Sequence, residues 1–109
     1  MTELLFVYGS LLERSVQEQV ISRFEEGVDD ILDQHKKIPA FVEGQQYSTV
    51  IPDKKSETKG KVLSLTEQEL EKIDMYEEPE YSREKIKLKS GILVWIYTYK
   101  NTRSEGSWV

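Results

Sequence analysis

No cysteine occurs among the 109 residues, which removes disulfide frameworks, thiolate nucleophiles and cysteine-held zinc from consideration. Histidine is almost as scarce. The single His35 lies in the charged run DQHKK; it reads as a solvated surface residue, and a metal site built on it would need carboxylates as its remaining ligands. No apolar run approaches the roughly 18 to 20 residues that span a bilayer, and the opening MTELLFVYGS lacks a basic segment followed by a long apolar core. A cytoplasmic location is the expectation. An excess of positive charge is missing too, since 15 Lys and Arg stand against 20 Asp and Glu for a net charge of −5, with the bases scattered among the acids. Nucleic acid and anionic membranes are therefore disfavoured as partners.

What is present fits one domain over residues 1–109, in a length range that buries a single core. Leu4-Leu5-Phe6-Val7 reads as a strand buried on both faces and central in its sheet, and it stops at Tyr8-Gly9-Ser10. Gly9 and Ser10 can make a simple turn, or they can cradle a ligand. Tyr8 either closes the core or lines a pocket. The following SVQEQVISRF carries Ser15 with Glu18 three residues on, a capping-box pattern, and Val16, Val20 and Phe24 at helical spacing, which predicts a helix over 15–24.

Further on, short strands are expected near 30–37 and 45–50, the polar PDKKSETKG reads as a loop, and GKVLSLT as another strand. Thr66 then caps a second helix with Glu69 placed to reach back to it. SREKIKLKSGILVWIYTYK is a hairpin turning at Lys89-Ser90-Gly91. Its last strand sets Trp95, Tyr97 and Tyr99 on one face, for sheet packing first and a pocket wall or dimer contact second. Trp108 either tucks back onto the body or stays exposed. Two helices and about six strands give an α+β domain whose sheet either curls into a small barrel or stays open.

In the second helix Leu70 and Ile73 form the apolar face, and a further step of four residues lands on Glu77. Either the helix frays before Pro79 and Glu77 meets water, or Glu77 projects into an apolar pocket whose desolvation raises its pKa for proton transfer. Asp74 is placed to steady the helix end. Arg83 is read first as a structural ion-pair partner of Asp74 or Glu77, and second as a substrate contact. No G-x-S-x-G elbow surrounds Ser10, which argues against a Ser-His-Asp hydrolase.

Taken together, Tyr8-Gly9-Ser10-Leu11, Ile73-Asp74-Met75-Tyr76-Glu77 and Tyr81-Ser82-Arg83 resemble, in order and spacing, the gamma-glutamylcyclotransferase-like family. The branch they are most similar to holds the gamma-glutamylamine cyclotransferases and the plant avirulence-induced proteins. The resemblance implies a small mixed β-barrel flanked by two helices, with Tyr8, Gly9, Ser10 and Leu11 binding substrate largely through backbone groups. It makes Glu77 the general acid and base, with Asp74, Tyr81 and Arg83 in possible support. The implied reaction needs no cofactor or metal: the α-amine of a small γ-glutamyl substrate attacks its own γ-carbonyl, giving 5-oxoproline and an amine or amino acid. Glu78 and Pro79 depart from the family, whose members often carry glycine after the glutamate. The rival readings are a non-catalytic binder of a small metabolite on the same fold, and an interaction domain using the aromatic strand.

Overall fold

The computed structural model describes residues 2–42, 44–77 and 81–99. Five strands make one sheet in the order β2-β3-β1-β5-β4, with β1 spanning Thr2–Val7, β2 Val28–Val42, β3 Gln45–Thr66, β4 Tyr81–Lys87 and β5 Leu93–Tyr99. The sheet is mixed, because β1 runs parallel to β5 and every other neighbouring pair is antiparallel. Helices α1 (Arg14–Ile21) and α2 (Glu67–Tyr76) complete the fold.

β1 occupies the middle of the sheet, as its continuous apolar run requires. Leu5 and Val7 pack with Leu63, Leu65, Leu70 and Ile73 on the helix side, whereas Phe6 and Tyr8 pack with Leu32, Val62, Val94 and Ile96 inside the curl of the sheet. That curl is a half-barrel. Its far corner comes near closing where the β4–β5 turn meets β2: the Lys89 amide donates to the Ile31 carbonyl at 2.9 Å, and the Ser90 hydroxyl bonds Asp30 at 2.6 Å.

Among the described residues the expected count of about six strands becomes five, because PDKKSETKG is not a free loop. It lies within β3, which joins the two strands expected at 45–50 and from residue 60 onward into one. β2 and β3 form a long hairpin arm. Its ladder shifts register between Asp33 and His35, so that Glu57 pairs with Asp33, Pro52 with His35, and residues 53–56 stand opposite Gln34, whose φ is 58°. Here β3 has only β2 beside it, because β1 pairs with residues 61–66 alone, and the exposed lysines cover no core. Polarity that reads as a loop is therefore compatible with a paired strand. His35 sits at this irregularity, with Nδ1 within 2.9 Å of the Asp33 carbonyl oxygen.

The helices match expectation unevenly. At α1 the cap is Glu13 rather than Ser15, and it makes no side-chain cap bond; a single 3-10 turn at Ser10–Leu12 delivers the chain instead, with the Glu13 amide donating to the Ser10 carbonyl at 3.0 Å. The helix ends at Ile21, before Phe24, and Ser22 takes φ 64° as its terminator. At α2 the expected capping box is complete. The Glu69 amide donates to Thr66 Oγ1 at 3.1 Å, and the Thr66 amide to Glu69 Oε1 at 2.9 Å. Trp108 lies outside the described residues.

Glu69 also receives Nε and Nη2 of Arg23 at 2.7 and 2.9 Å. Those bonds, opposed by burial and aided by the cap, pull its carboxyl down to about 2. A carboxylate depressed in the folded state stabilises the fold above its unfolded pKa and loses that contribution as pH falls through the folded value. Glu69→Gln, which keeps a cap-competent side chain, is expected to lower the urea midpoint at neutral pH. The deficit should shrink from about pH 4 downward and vanish near pH 2. A deficit independent of pH would remove the ion pair from the account.

Candidate active site

β1 ends at Val7, and the chain leaves the sheet through Tyr8 and Gly9 into the 3-10 turn. This loop forms one wall of a cleft of about 370 Å³. Lys37 of β2 and Gln46, Tyr47 and Ser48 of β3 also line it, as do Tyr81 of β4, Tyr97 of β5 and Glu77. All four loop residues expected to bind substrate therefore meet the expected acid/base in one concavity.

Tyr8 serves both alternatives. It is buried in the inner core and lines the cleft, and its hydroxyl donates to the Tyr97 carbonyl at 2.6 Å. Burial first, then the neighbouring Tyr81 and Glu77, pushes the phenol far above its usual value, so it stays protonated. Gly9 has φ −135° and does not need left-handed backbone; a Cβ added there would lie 3.8 Å from Ser48 Cβ, across the cleft. The space is what the glycine supplies. Ser10 is exposed, with Oγ 3.4 Å from the Tyr76 hydroxyl.

Leu11 is buried, and its carbonyl receives Gln17 Nε2 at 2.8 Å. Gln17, 1 % exposed, also accepts the Glu25 amide at 2.8 Å. A buried amide with both ends satisfied fixes the loop to α1. Sequence reading missed this residue. The available signal was a polar side chain four residues before Ile21, in the row of the helix that faces the core.

Glu77 draws on both readings of its surroundings. The helix stops at Tyr76, and Glu77 is its cap with extended backbone (φ −68°, ψ 146°), its amide donating to the Ile73 carbonyl at 2.9 Å. Nevertheless the side chain is half-buried in the cleft rather than fully in water, and its charge is felt at the phenols of Tyr81, Tyr97 and Tyr8. Glu78 and Pro79 lie outside the described residues.

One turn earlier, Asp74 steadies the helix end. It accepts Arg83 Nε and Nη2 at 2.8 and 3.0 Å, and it accepts the hydroxyl of Tyr97. Burial would raise the Asp74 carboxyl, but the bonds from Arg83 and Tyr97 hold it below its ordinary value. Arg83 is thus a structural ion-pair partner; its guanidinium also lies 4.3 Å from the Trp95 ring centroid, and it is absent from the cleft lining. The aromatic strand divides its work: Tyr97 lines the cleft, Trp95 packs under Arg83 and Lys85, and Tyr99 meets the Tyr81 ring at 5.5 Å. Lys37 and residues 46–48 went unrecognised because their place at the cleft depends on the curl of the arm, which local sequence does not encode.

Comparison with known proteins agrees with this geometry. The family described as "Gamma-glutamyl cyclotransferase, AIG2-like" matches residues 5–109. AIG2-like protein C of Arabidopsis thaliana is 32% identical over 103 residues, which cover 89% of this chain and 59% of that protein. The chain spans about half the length of the curated relatives it matches. A solution structure of another Arabidopsis thaliana protein superposes with a TM-score of 0.74 at 30% identity, covering 92% of this chain and 70% of that one. A structure titled gamma-glutamyl cyclotransferase superposes at 0.77 over 91% of this chain and 67% of its own, and at 18% identity it speaks for the fold alone. With both motifs meeting in one cleft and the family match running almost end to end, the chain belongs to the gamma-glutamyl cyclotransferase, AIG2-like family.

Proposed function

We propose that the protein is a cofactor-independent γ-glutamyl cyclotransferase of the cytoplasm, releasing 5-oxoproline and an amine or amino acid from a small γ-glutamyl compound. The observation that carries this reading is the meeting of Glu77 with the Tyr8-Gly9-Ser10-Leu11 loop, residues far apart in sequence, in one cleft of about 370 Å³. That volume suits a compound of this size.

The step needs three things. The substrate must fold so that its α-nitrogen reaches its own γ-carbonyl, and a tight cleft favours that conformer. A proton must leave the attacking nitrogen and another must reach the departing one, which a single carboxylate can do in turn. Negative charge on the tetrahedral oxygen or on the substrate carboxylate must meet donors, and the backbone amides of Gly9, Ser10 and Leu11 are the groups assigned to that work. The Leu12 and Glu13 amides are committed within the turn, bonding the Gly9 and Ser10 carbonyls at 3.0 Å. As at any helix start, the first amides of the turn have no partner inside it.

Incubation with a panel of γ-glutamyl amino acids and γ-glutamyl amines, followed by assay of 5-oxoproline, tests the reading. Release from at least one member is expected. Binding of 5-oxoproline without turnover of any member would favour a metabolite-binding relative; neither binding nor turnover would sink both. Gly9→Leu adds a local check. Its side chain would occupy the cleft beside Ser48, so KM should rise at least about tenfold while the melting temperature changes little.

A further inference from the structure

The hydroxyl groups around the cleft differ in what they can still do. A phenol has one proton to give and lone pairs with which to receive. Tyr8 gives its proton to the Tyr97 carbonyl at 2.6 Å and is buried in the inner core, while the nearby Thr49 hydroxyl takes the Tyr99 amide at 2.9 Å. Tyr97 gives its proton to Asp74 of α2. Tyr81 gives its proton to the Ser48 carbonyl at 2.6 Å, and its ring is held against Tyr99.

A tyrosine in an acyl-transfer cleft would ordinarily be a candidate oxyanion donor. The Ser48 bond takes Tyr81 out of that role, because its one proton already has a fixed acceptor in β3. What remains is a half-buried phenol oxygen in the cleft that also holds Glu77. Two acceptors of this kind suit a ligand group with several N–H donors, and such a group is an ammonium.

We propose that Tyr81, its own proton held by Ser48, receives an N–H of the substrate's α-ammonium group while Glu77 receives another. The proposal rests on the cyclotransferase reading and adds to it a residue that selects for a free α-amine. Burial and then the Glu77 carboxylate push the Tyr81 phenol far above its usual value, so it stays neutral and does not compete for the proton. The work is divided between the two residues. Tyr81 holds the nitrogen, and Glu77 takes the proton as one N–H bond breaks and a carboxyl O–H forms. The freed lone pair then makes the new C–N bond at the γ-carbon. When the tetrahedral intermediate collapses, the old C–N bond breaks and the departing nitrogen takes the proton that Glu77 returns; Glu77 then removes the surplus proton still on the ring nitrogen and passes it to the released amine, which leaves as an ammonium while the carboxylate is restored.

A ligand pair that differs only at the amine gives the test. γ-Glutamyl-alanine and glutaryl-alanine have the same acyl chain, and the second lacks the α-amine. Binding is measured by calorimetry in a Glu77→Gln background, where turnover is suppressed, with and without Tyr81→Phe. Removing the phenol oxygen is expected to weaken γ-glutamyl-alanine about tenfold, as for a hydrogen bond to a charged group, and to leave glutaryl-alanine unchanged. Equal weakening of both ligands would show that Tyr81 merely braces the arm. No change for either, or no binding of either before the Tyr81 substitution, would likewise overturn the proposal. The cyclotransferase reading fails separately, if the parent protein makes no 5-oxoproline while the amine-dependent difference persists.

Discussion

Glu77→Gln is expected to fold as the parent does and to lose at least about 100-fold in kcat for 5-oxoproline formation, the lower end of what a positioned proton carrier contributes. The side chain is half-buried at the cleft and its backbone, not its carboxylate, carries the last bond of α2, the 2.9 Å contact to Ile73. Glutamine keeps the size and one accepting oxygen, so KM should rise less than kcat falls. That split separates lost proton transfer from lost binding. Measurement of both constants, with a thermal melt on the same sample, checks it. Cyclisation at the parental rate would move the proton carrier to another group and leave Glu77 a binding residue at most.

Gly60→Ala should cost the fold on the order of 3 kcal/mol or more, a large part of the 5–15 kcal/mol that holds a typical domain. The reason is local and steric. A Cβ built on Gly60 would stand 2.3 Å from the Val7 carbonyl oxygen and 2.7 Å from the Phe6 ring, in the layer where β3 crosses the end of β1. The carbonyl is backbone of the central strand, and it cannot swing away as a flexible side chain would. The same substitution at Gly9 would meet only Ser48 Cβ at ordinary contact distance, 3.8 Å. Urea titration of the two alanine variants therefore predicts a marked loss for one and little for the other. A Gly60→Ala protein within about 1 kcal/mol of the parent would show that β3 can slide outward from β1 without disturbing the core.

Much of the frame was legible in the sequence, for reasons that differ from one element to the next. β1 was readable because a strand in the middle of a sheet is apolar on both faces, and Leu5, Phe6 and Val7 are each at most 3 % exposed. The start of α2 was readable because its cap is a local exchange between Thr66 and Glu69. The β4–β5 hairpin announces itself through alternation and through Gly91, whose φ of 99° suits glycine. The β2–β3 arm was not legible as one ribbon. Its long overhang pairs through backbone groups while its side chains stay largely in water, so burial leaves no period-two record in the residues.

The site divides in the same manner. The loop and Glu77 were found by motif, yet neither local reading of Glu77 foresaw that the helix would end before it and the side chain would still line the cleft. Gln17 carried a local signal, its place in the core-facing row of α1, whereas the wall at residues 46–48 depends on contacts between distant elements that no local pattern marks.

The parallel pairing of β1 with β5, Leu5 beside Trp95 and Phe6 beside Ile96, also sets a schedule. The two strands lie about 90 residues apart in sequence, so β1 cannot gain this neighbour until β5 has been made, roughly 5 to 20 seconds later at ordinary elongation rates. Until then one edge of the most apolar strand stands open beside the ribosome. Through that interval the partly made chain is adhesive along β1, and pairing with β5 ends the exposure.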